Sequence, residues 1–277
     1  KAYYETVLKG LFVEGGRVIF LKNAGVLEGY ILESDAGIWE VAHESLTTKN
    51  YAMARIVNVE NVEFDAEKYC DDLIGLLGDM MQSNGVSHVD EIAFTGQAES
   101  LIVVSADGKP LMNAISWMDE RSAEECKVLS AQFDAATCEA VTGQMAVLPT
   151  WPATKILWLK NNRPEIYENA ATYMLLKDYI VFCLTGQKVA DMSIATFSFY
   201  FDIYKKCYWQ EMLDAIGVNE DQLPPLCEPC SVAGSLKKEL AQAIGIAEGS
   251  TRDIALISRV GRPVCFVVDS ITAVLSG

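Results

Sequence analysis

The chain has 277 residues, 51% of them hydrophobic and 22% charged, which supplies a core for one large or two modest domains. A formal net charge of −16 repels a nucleic-acid backbone, so no nucleic-acid partner is expected. No apolar run is long enough to span a bilayer, and the first residues lack a basic region followed by an apolar stretch and a cleavage site. A cytoplasmic protein without a membrane partner is therefore expected. In chain order, Leu8 to Phe12, Val18 to Leu21 and Gly29 to Leu32 are short apolar runs split by glycines, and they predict a strand meander. Phe64 to Met81 carries apolar residues at helical spacing, with Asp65 as N-cap and Glu67 in the first turn. Ile102 to Ser105 is a β-branched run, Ala106 to Pro110 is turn chemistry and Ala114 to Met118 reads as the returning strand, which makes a hairpin. Ser122 to Phe133, Trp151 to Asn161, Leu175 to Leu184 and Leu236 to Ile244 read as helices. Strands come first and are then mixed with helices, with no internal repeat or low-complexity linker, so the fold class is α/β.

The hairpin is the most informative part of the chain. Gly96-Gln97-Ala98-Glu99 precedes its first strand, and Asp119 and Arg121 follow its second. Polar groups gathered beside strand ends are how α/β proteins build sites, although an ordinary hairpin with a polar rim has the same composition. Eight cysteines at scattered positions do not form a small disulfide framework and read mostly as buried thiols. Cys227-Glu228-Pro229-Cys230 has a CxxC spacing, but no second cysteine or histidine pair completes a zinc site around it. His43 and His88 have no partner nearby in sequence that would make them catalytic.

From Phe94 to Arg121 the sequence resembles the FGGY family of carbohydrate kinases, where this stretch reads like SGQMHG or NQRET, then a DGKPL turn, then IxWxDxR. Leu148 to Leu159 is similar to the family's segment leading into a lysine-bearing helix, and Leu175 to Gly186 to its PKDYLRYRLTG helix. Asp191 to Thr196 stands where the family has TDxSxAS, followed by Phe201-Asp202, and Leu213 to Gly234 matches LxxxGLxxxxLPxxxxxGxxxG. The resemblance runs over residues 90–249. It implies an actin/hexokinase-like, ribonuclease H-like ATPase domain, with a mixed sheet flanked by helices. Residues 1–249 would form the sugar-binding N-terminal domain and 250–277 a tail.

The family opens with a strand, a DxGT turn and a second strand, in which the turn amides and threonine hold ATP phosphates and the aspartate helps to position Mg²⁺. Asn23-Ala24-Gly25-Val26 is the matching segment, so Asn23, Gly25 and Val26 become a degenerate phosphate and Mg²⁺ site. Asn for Asp removes the charge, and Val for Thr removes the hydroxyl. The residues before Asn23 form a longer start than the family's usual one. At the other end, Pro263 to Gly277 can be laid on the family's strand and GAGD turn, which makes Asp269 the general base on the sugar hydroxyl. Leu256 to Val264 equally resembles the end of the family's second domain, where Asp269 has no catalytic role. On either alignment no complete second domain is expected within these 277 residues.

By resemblance, Gln97, Ala98 and Glu99 lie where substrate-binding residues lie, and Glu99 takes the position of a glutamate that grips hydroxyls in glycerol kinases. Xylulokinases usually have Met-His across Ala98 and Glu99, a pattern not met here. A carboxylate accepts two hydroxyl hydrogen bonds, which suits a polyol or open-chain sugar, and Ala98 leaves room beside it. Trp117 offers either a flat apolar wall for a sugar or a core side chain. Asp119 and Arg121 are spaced to pair or to cap a helix, and Asp191 to cap a loop. Lys155 and Lys177-Asp178 either approach substrate or lie on solvated faces. The expectation is ATP- and Mg²⁺-dependent phosphorylation of a small sugar or polyol, with a homodimer allowed for. Two alternatives are an inactive sugar-sensing or scaffolding protein and, more remotely, a redox or metal protein using the CxxC.

Overall fold

The computed structural model describes residues 17–23, 26–34, 37–43, 52–56, 62–89, 91–95, 98–245, 253–256, 265–268 and 271–276. The chain divides into two compact units, Lys1–Glu63 with Met118–Arg121, and Phe64–Trp117 with Ser122–Gly277. In the first, β1 (Arg17–Asn23), β2 (Val26–Ser34), β3 (Gly37–His43) and β4 (Ala52–Ile56) form an antiparallel meander in sequence order. This is the meander that the glycine-split apolar runs predict; the run Leu8 to Phe12 lies outside the described residues. β1 and β2 pair down to Asn23 opposite Val26, with a register shift between Leu21 and Lys22. Met118–Arg121 carries a tight polar knot, in which Arg121 clasps Asp119 through Nε to Oδ1 at 2.8 Å and Nη2 to Oδ2 at 2.7 Å. The other guanidinium nitrogen of Arg121 reaches Glu63 at 2.8 Å, and Asp119 Oδ2 accepts from the Val62 amide at 2.6 Å. The planar fork matches the carboxylate, so Asp119 is buried fully satisfied.

The second unit begins after the short strand β5 (Glu63–Phe64) with α1 (Ala66–Ser83). Asp65 caps α1, its carboxylate accepting from the Lys68 amide at 3.0 Å. Ala66, Cys70, Leu73, Leu77 and Met81 recur every three or four residues and form the buried stripe. There follow β6 (Glu91–Thr95), β7 (Leu101–Val104), β8 (Ala114–Ile115), α2 (Ala123–Gln132), α3 (Ala135–Thr142), α4 (Pro152–Asn162), α5 (Pro164–Asn169), β9 (Thr172–Leu175) and α6 (Leu176–Thr185). The chain continues through β10 (Ala190–Asp191), α7 (Met192–Ala195), β11 (Phe201–Asp202), β12 (Cys207–Tyr208), α8 (Gln210–Ile216), β13 (Leu226–Cys227), β14 (Val232–Ser235), α9 (Lys238–Ala243), β15 (Asp253–Leu256), β16 (Cys265–Val268) and β17 (Ile271–Ser276).

One sheet has the order β5-β8-β7-β9, with β7 antiparallel to both β8 and β9. All four residues of β7 are buried because the strand has a core on each face. Ile102 and Val104 face α1 and α6; Leu101 and Val103 face a second core with Leu129, Ile156, Leu159, Met212 and Leu213. A mixed sheet of order β14-β15-β6-β17-β16 sets β15 parallel and β17 antiparallel to β6. Strands from 253–276 thus flank Glu91–Thr95. Among the described residues no helix is long and apolar enough to cross a membrane.

Candidate functional site

The chain leaves β6 and enters β7 through Ala98-Glu99-Ser100. Ala98 is buried in a small cluster with Leu175, at the end of β9, and Ile194 of α7. Glu99 adopts φ +60, and a non-glycine residue held in that region costs about 1–3 kcal/mol. The next residue fixes this bend. Ser100 is buried, its amide donates to the Ala98 carbonyl at 2.7 Å, and its hydroxyl accepts the Trp117 amide at 3.2 Å. Ser100 therefore ties the start of β7 to Trp117, two residues beyond β8, so Glu99 and Trp117 are set by one pair of strands. Trp117 is 42% exposed, which excludes the core reading and leaves an indole open to solvent.

Lys155 supplies the positive charge facing Glu99. It is buried in the first turns of α4, with Nζ donating to the Thr150 carbonyl at 2.6 Å. Pro152 opens that helix, and Thr154 locks its first turn by donating to the Trp151 carbonyl at 2.8 Å while its hydroxyl lies 2.8 Å from that of Ser122. Trp151 stacks on Phe199 at 5.7 Å, which packs the helix start against the core. Burial raises the Glu99 carboxyl above the ordinary range, and attraction to Lys155 acts against it. The result is a half-buried acid, held in strained backbone, opposite a buried lysine.

The floor behind Ala98 is built by α6 and α7. Lys177 and Asp191 are both buried and form an ion pair that joins the start of α6 to the residue capping α7. Asp191 also accepts from the Ser193 amide at 2.6 Å, in the capping role its position in sequence predicts. Burial pushes the Asp191 carboxyl up, but Lys177 and Ser193 outweigh it and hold the group below its ordinary value. Its neighbour behaves in the opposite way. Asp178 is buried with Oδ2 accepting the Leu175 amide at 3.3 Å and Oδ1 without a hydrogen-bond partner. Burial pushes the Asp178 carboxyl up to about 7, against the attraction of Lys177.

The structure thus brings Ala98, Glu99 and Trp117 together and adds Lys155. Gln97, Gly25 and Asp269 lie outside the described residues, while Asn23 and Val26 face each other across the β1–β2 hairpin. The solvated-face reading of Lys155, Lys177 and Asp178 is corrected, since all three are buried. A signal for this was present: Lys155 lies between Ala153 and Ile156-Leu157, and Lys177-Asp178 lies between Leu176 and Tyr179-Ile180-Val181, runs too apolar for a wet helix face. In the CxxC segment, Cys227 pairs with Asp191 across β13 and β10, and Cys230 is exposed at φ +67. Among the described residues no group of three metal-ligating side chains is present.

Comparison with known proteins places this geometry in a family. The N-terminal domain of the FGGY family of carbohydrate kinases matches residues 31–251. The xylulose kinase of Escherichia coli (strain K12) is 32% identical over 64% of this chain and 35% of its own. The glycerol kinase of Thermococcus gammatolerans is 32% identical over 57% of this chain and 32% of its own. A solved ligand-bound xylulose kinase from Lactobacillus acidophilus superposes with TM-score 0.67 at 26% identity, covering 80% of this chain and 46% of that one. The chain spans about a third of the length of the curated relatives it matches. The fold is the actin/hexokinase-like ATPase fold of these kinases, and the chain belongs to the FGGY family of carbohydrate kinases, matching its N-terminal domain.

Proposed function

We propose that this chain is the sugar-binding part of a kinase that transfers a phosphoryl group from ATP to a hydroxyl of a small sugar or polyol. The observation that carries this reading is Glu99, a half-buried carboxyl in strained backbone facing a buried lysine. Backbone strain of this kind persists where the surrounding structure over-determines it, and it collects at ligand-binding positions. The Glu99 carboxyl accepts hydrogen bonds from hydroxyls, and attraction to Lys155 opposes, without cancelling, the upward push of burial. Trp117 presents its ring to the carbon face of the sugar, and Ala98 keeps the floor low. Gln97 joins this set through the family pattern, as does Asp269 as acceptor of the hydroxyl proton. Residues 1–249 are proposed as the sugar-binding domain. The relatives named xylulose kinase and glycerol kinase point to an open-chain ketose or a polyol as ligand.

The phosphate end is built differently. By the family pattern this end falls on Asn23, Gly25 and Val26, whose side chains provide neither a carboxylate for Mg²⁺ nor a hydroxyl. A sugar-binding protein without phosphotransfer is the second reading, and it rests on that residue chemistry alone. Thermal melts of the chain with xylulose, glycerol and gluconate, each with and without MgATP, distinguish the two. A ligand at a hundred times its Kd stabilises by about 2.7 kcal/mol. For a chain of this size that is a shift of about 5–10 °C. A shift with sugar and a further shift with MgATP supports the kinase; a shift with sugar alone supports the second reading, and no shift with any sugar overturns both.

A further inference from the structure

Away from the Glu99 site, α1 and α6 pack across a cleft of about 580 Å³ whose lining includes Cys70, Tyr179, Phe182, Cys183 and Lys237. Cys70 lies on the buried stripe of α1, and Cys183 is half-buried on the facing side of α6, packed against the same core. The two thiols line the same cleft, one from each helix. Hydrogen bonding to Cys183 is the largest influence on the Cys70 thiol and, together with burial, raises it. The same contact acts in the opposite sense on Cys183 and, with help from the Tyr179 hydroxyl and Lys237, lowers it against burial. Lys237 lines the cleft together with the carboxylates of Glu67, Asp71, Asp107 and Glu239, and its Nζ lies 6.0 Å from the centroid of the Phe182 ring. A partly exposed thiol with a lysine and a second thiol lining the same cleft is an arrangement in which one cysteine oxidises and the other resolves it.

We propose that Cys70 and Cys183 form a reversible disulfide that staples α1 to α6, made by a hydroperoxide entering through the cleft. The Cys183 thiolate attacks one peroxide oxygen, the O–O bond breaks and, with hydrogen peroxide, a sulfenic acid and hydroxide result, the hydroxide taking up the proton the thiol released and leaving as water. The Cys70 sulfur then attacks the sulfenic sulfur, the S–O bond breaks and the departing hydroxide takes the Cys70 proton as a second water. In sum, two thiols and one peroxide give one disulfide and two waters, and a small dithiol reverses the reaction. The bridge would close a long loop and pin α6, which begins beside Leu175 in the floor of the Glu99 site.

The test treats the reduced full chain with hydrogen peroxide, alkylates the remaining thiols after unfolding and maps the peptides by mass without reduction. A cross-linked peptide pair carrying Cys70 and Cys183 is expected, together with a raised melting temperature that dithiothreitol reverses. The Cys207→Ser/Cys227→Ser/Cys230→Ser variant should still form the bridge, while Cys183→Ser should not. In Cys70→Ser, Cys183 should be trapped as a sulfenic acid by dimedone. Recovery of Cys70 and Cys183 only as separately alkylated peptides, or a bridge confined to Cys207, Cys227 and Cys230, overturns the proposal.

Discussion

Glu99 and Asp178 are both carboxyls raised by burial, and they differ in what that burial achieves. At Glu99 the side chain remains accessible to a ligand, so truncation and relief of strain can be separated. Glu99→Ala should weaken sugar binding at least about tenfold, which corresponds to about 1.4 kcal/mol and suits the loss of a charged hydrogen-bond acceptor. It should leave the melting temperature nearly unchanged. Glu99→Gly should lose binding equally but raise stability by about 1 kcal/mol, because glycine tolerates φ +60. At Asp178 the burial is complete, and the carboxyl moves from an ordinary 3.8 to about 7. The folded state therefore holds a proton that the unfolded state releases between those values. The stability this contributes is full below about pH 4 and is lost as pH rises to about 7. Asp178→Asn should flatten the fall in melting temperature over that window, measured by thermal melts at constant ionic strength. An unchanged slope would mean that Asp178 is ionised in the fold.

At the scale of elements, the buried pair of Lys177 and Asp191 joins the start of α6 to the α7 turn behind Ala98. Removing one partner strands the other charge away from water, so Lys177→Met should cost about 3–5 kcal/mol, whereas Lys177→Met/Asp191→Leu should recover much of that loss. Denaturant melts of the three proteins check this, and equal loss in single and double variants would contradict it. The other end of α6 meets the β7–β8 turn. Gly108 sits at φ +84, and a Cβ there would lie 2.9 Å from the Phe182 ring, so Gly108→Ala should destabilise by about 1 kcal/mol or more. The elements that could be read from sequence are those fixed locally. Asp65 caps α1, Asp107-Gly108 turns the hairpin, and the apolar period of α1 emerges as its buried stripe. Pairings across long sequence separations were not legible. Nothing near Lys177 announces Asp191, and nothing near Cys70 announces Cys183, because those contacts exist only once α6 is packed. The place of Glu99 beside a strand end and the family pattern both mark it in the sequence, while its strain and its lysine partner are properties of the fold.

For the whole molecule, a charge of −16 repels itself, so the melting temperature should rise with added sodium chloride at fixed pH until the repulsion is screened. A fall with salt would mean that attractive pairs such as Arg121 with Glu63 outweigh the net charge. The same field opposes an anionic nucleotide. Sugar recognition therefore forms the centre of the account, and it rests on Glu99. Isothermal titration of the chain, Glu99→Ala and Glu99→Gln with the sugar that gives the largest thermal shift tests it most directly. Saturable binding by the native chain is expected, with a loss of at least about tenfold in Glu99→Ala and partial recovery in Glu99→Gln, which keeps one acceptor oxygen. Equal affinity in all three proteins would contradict it.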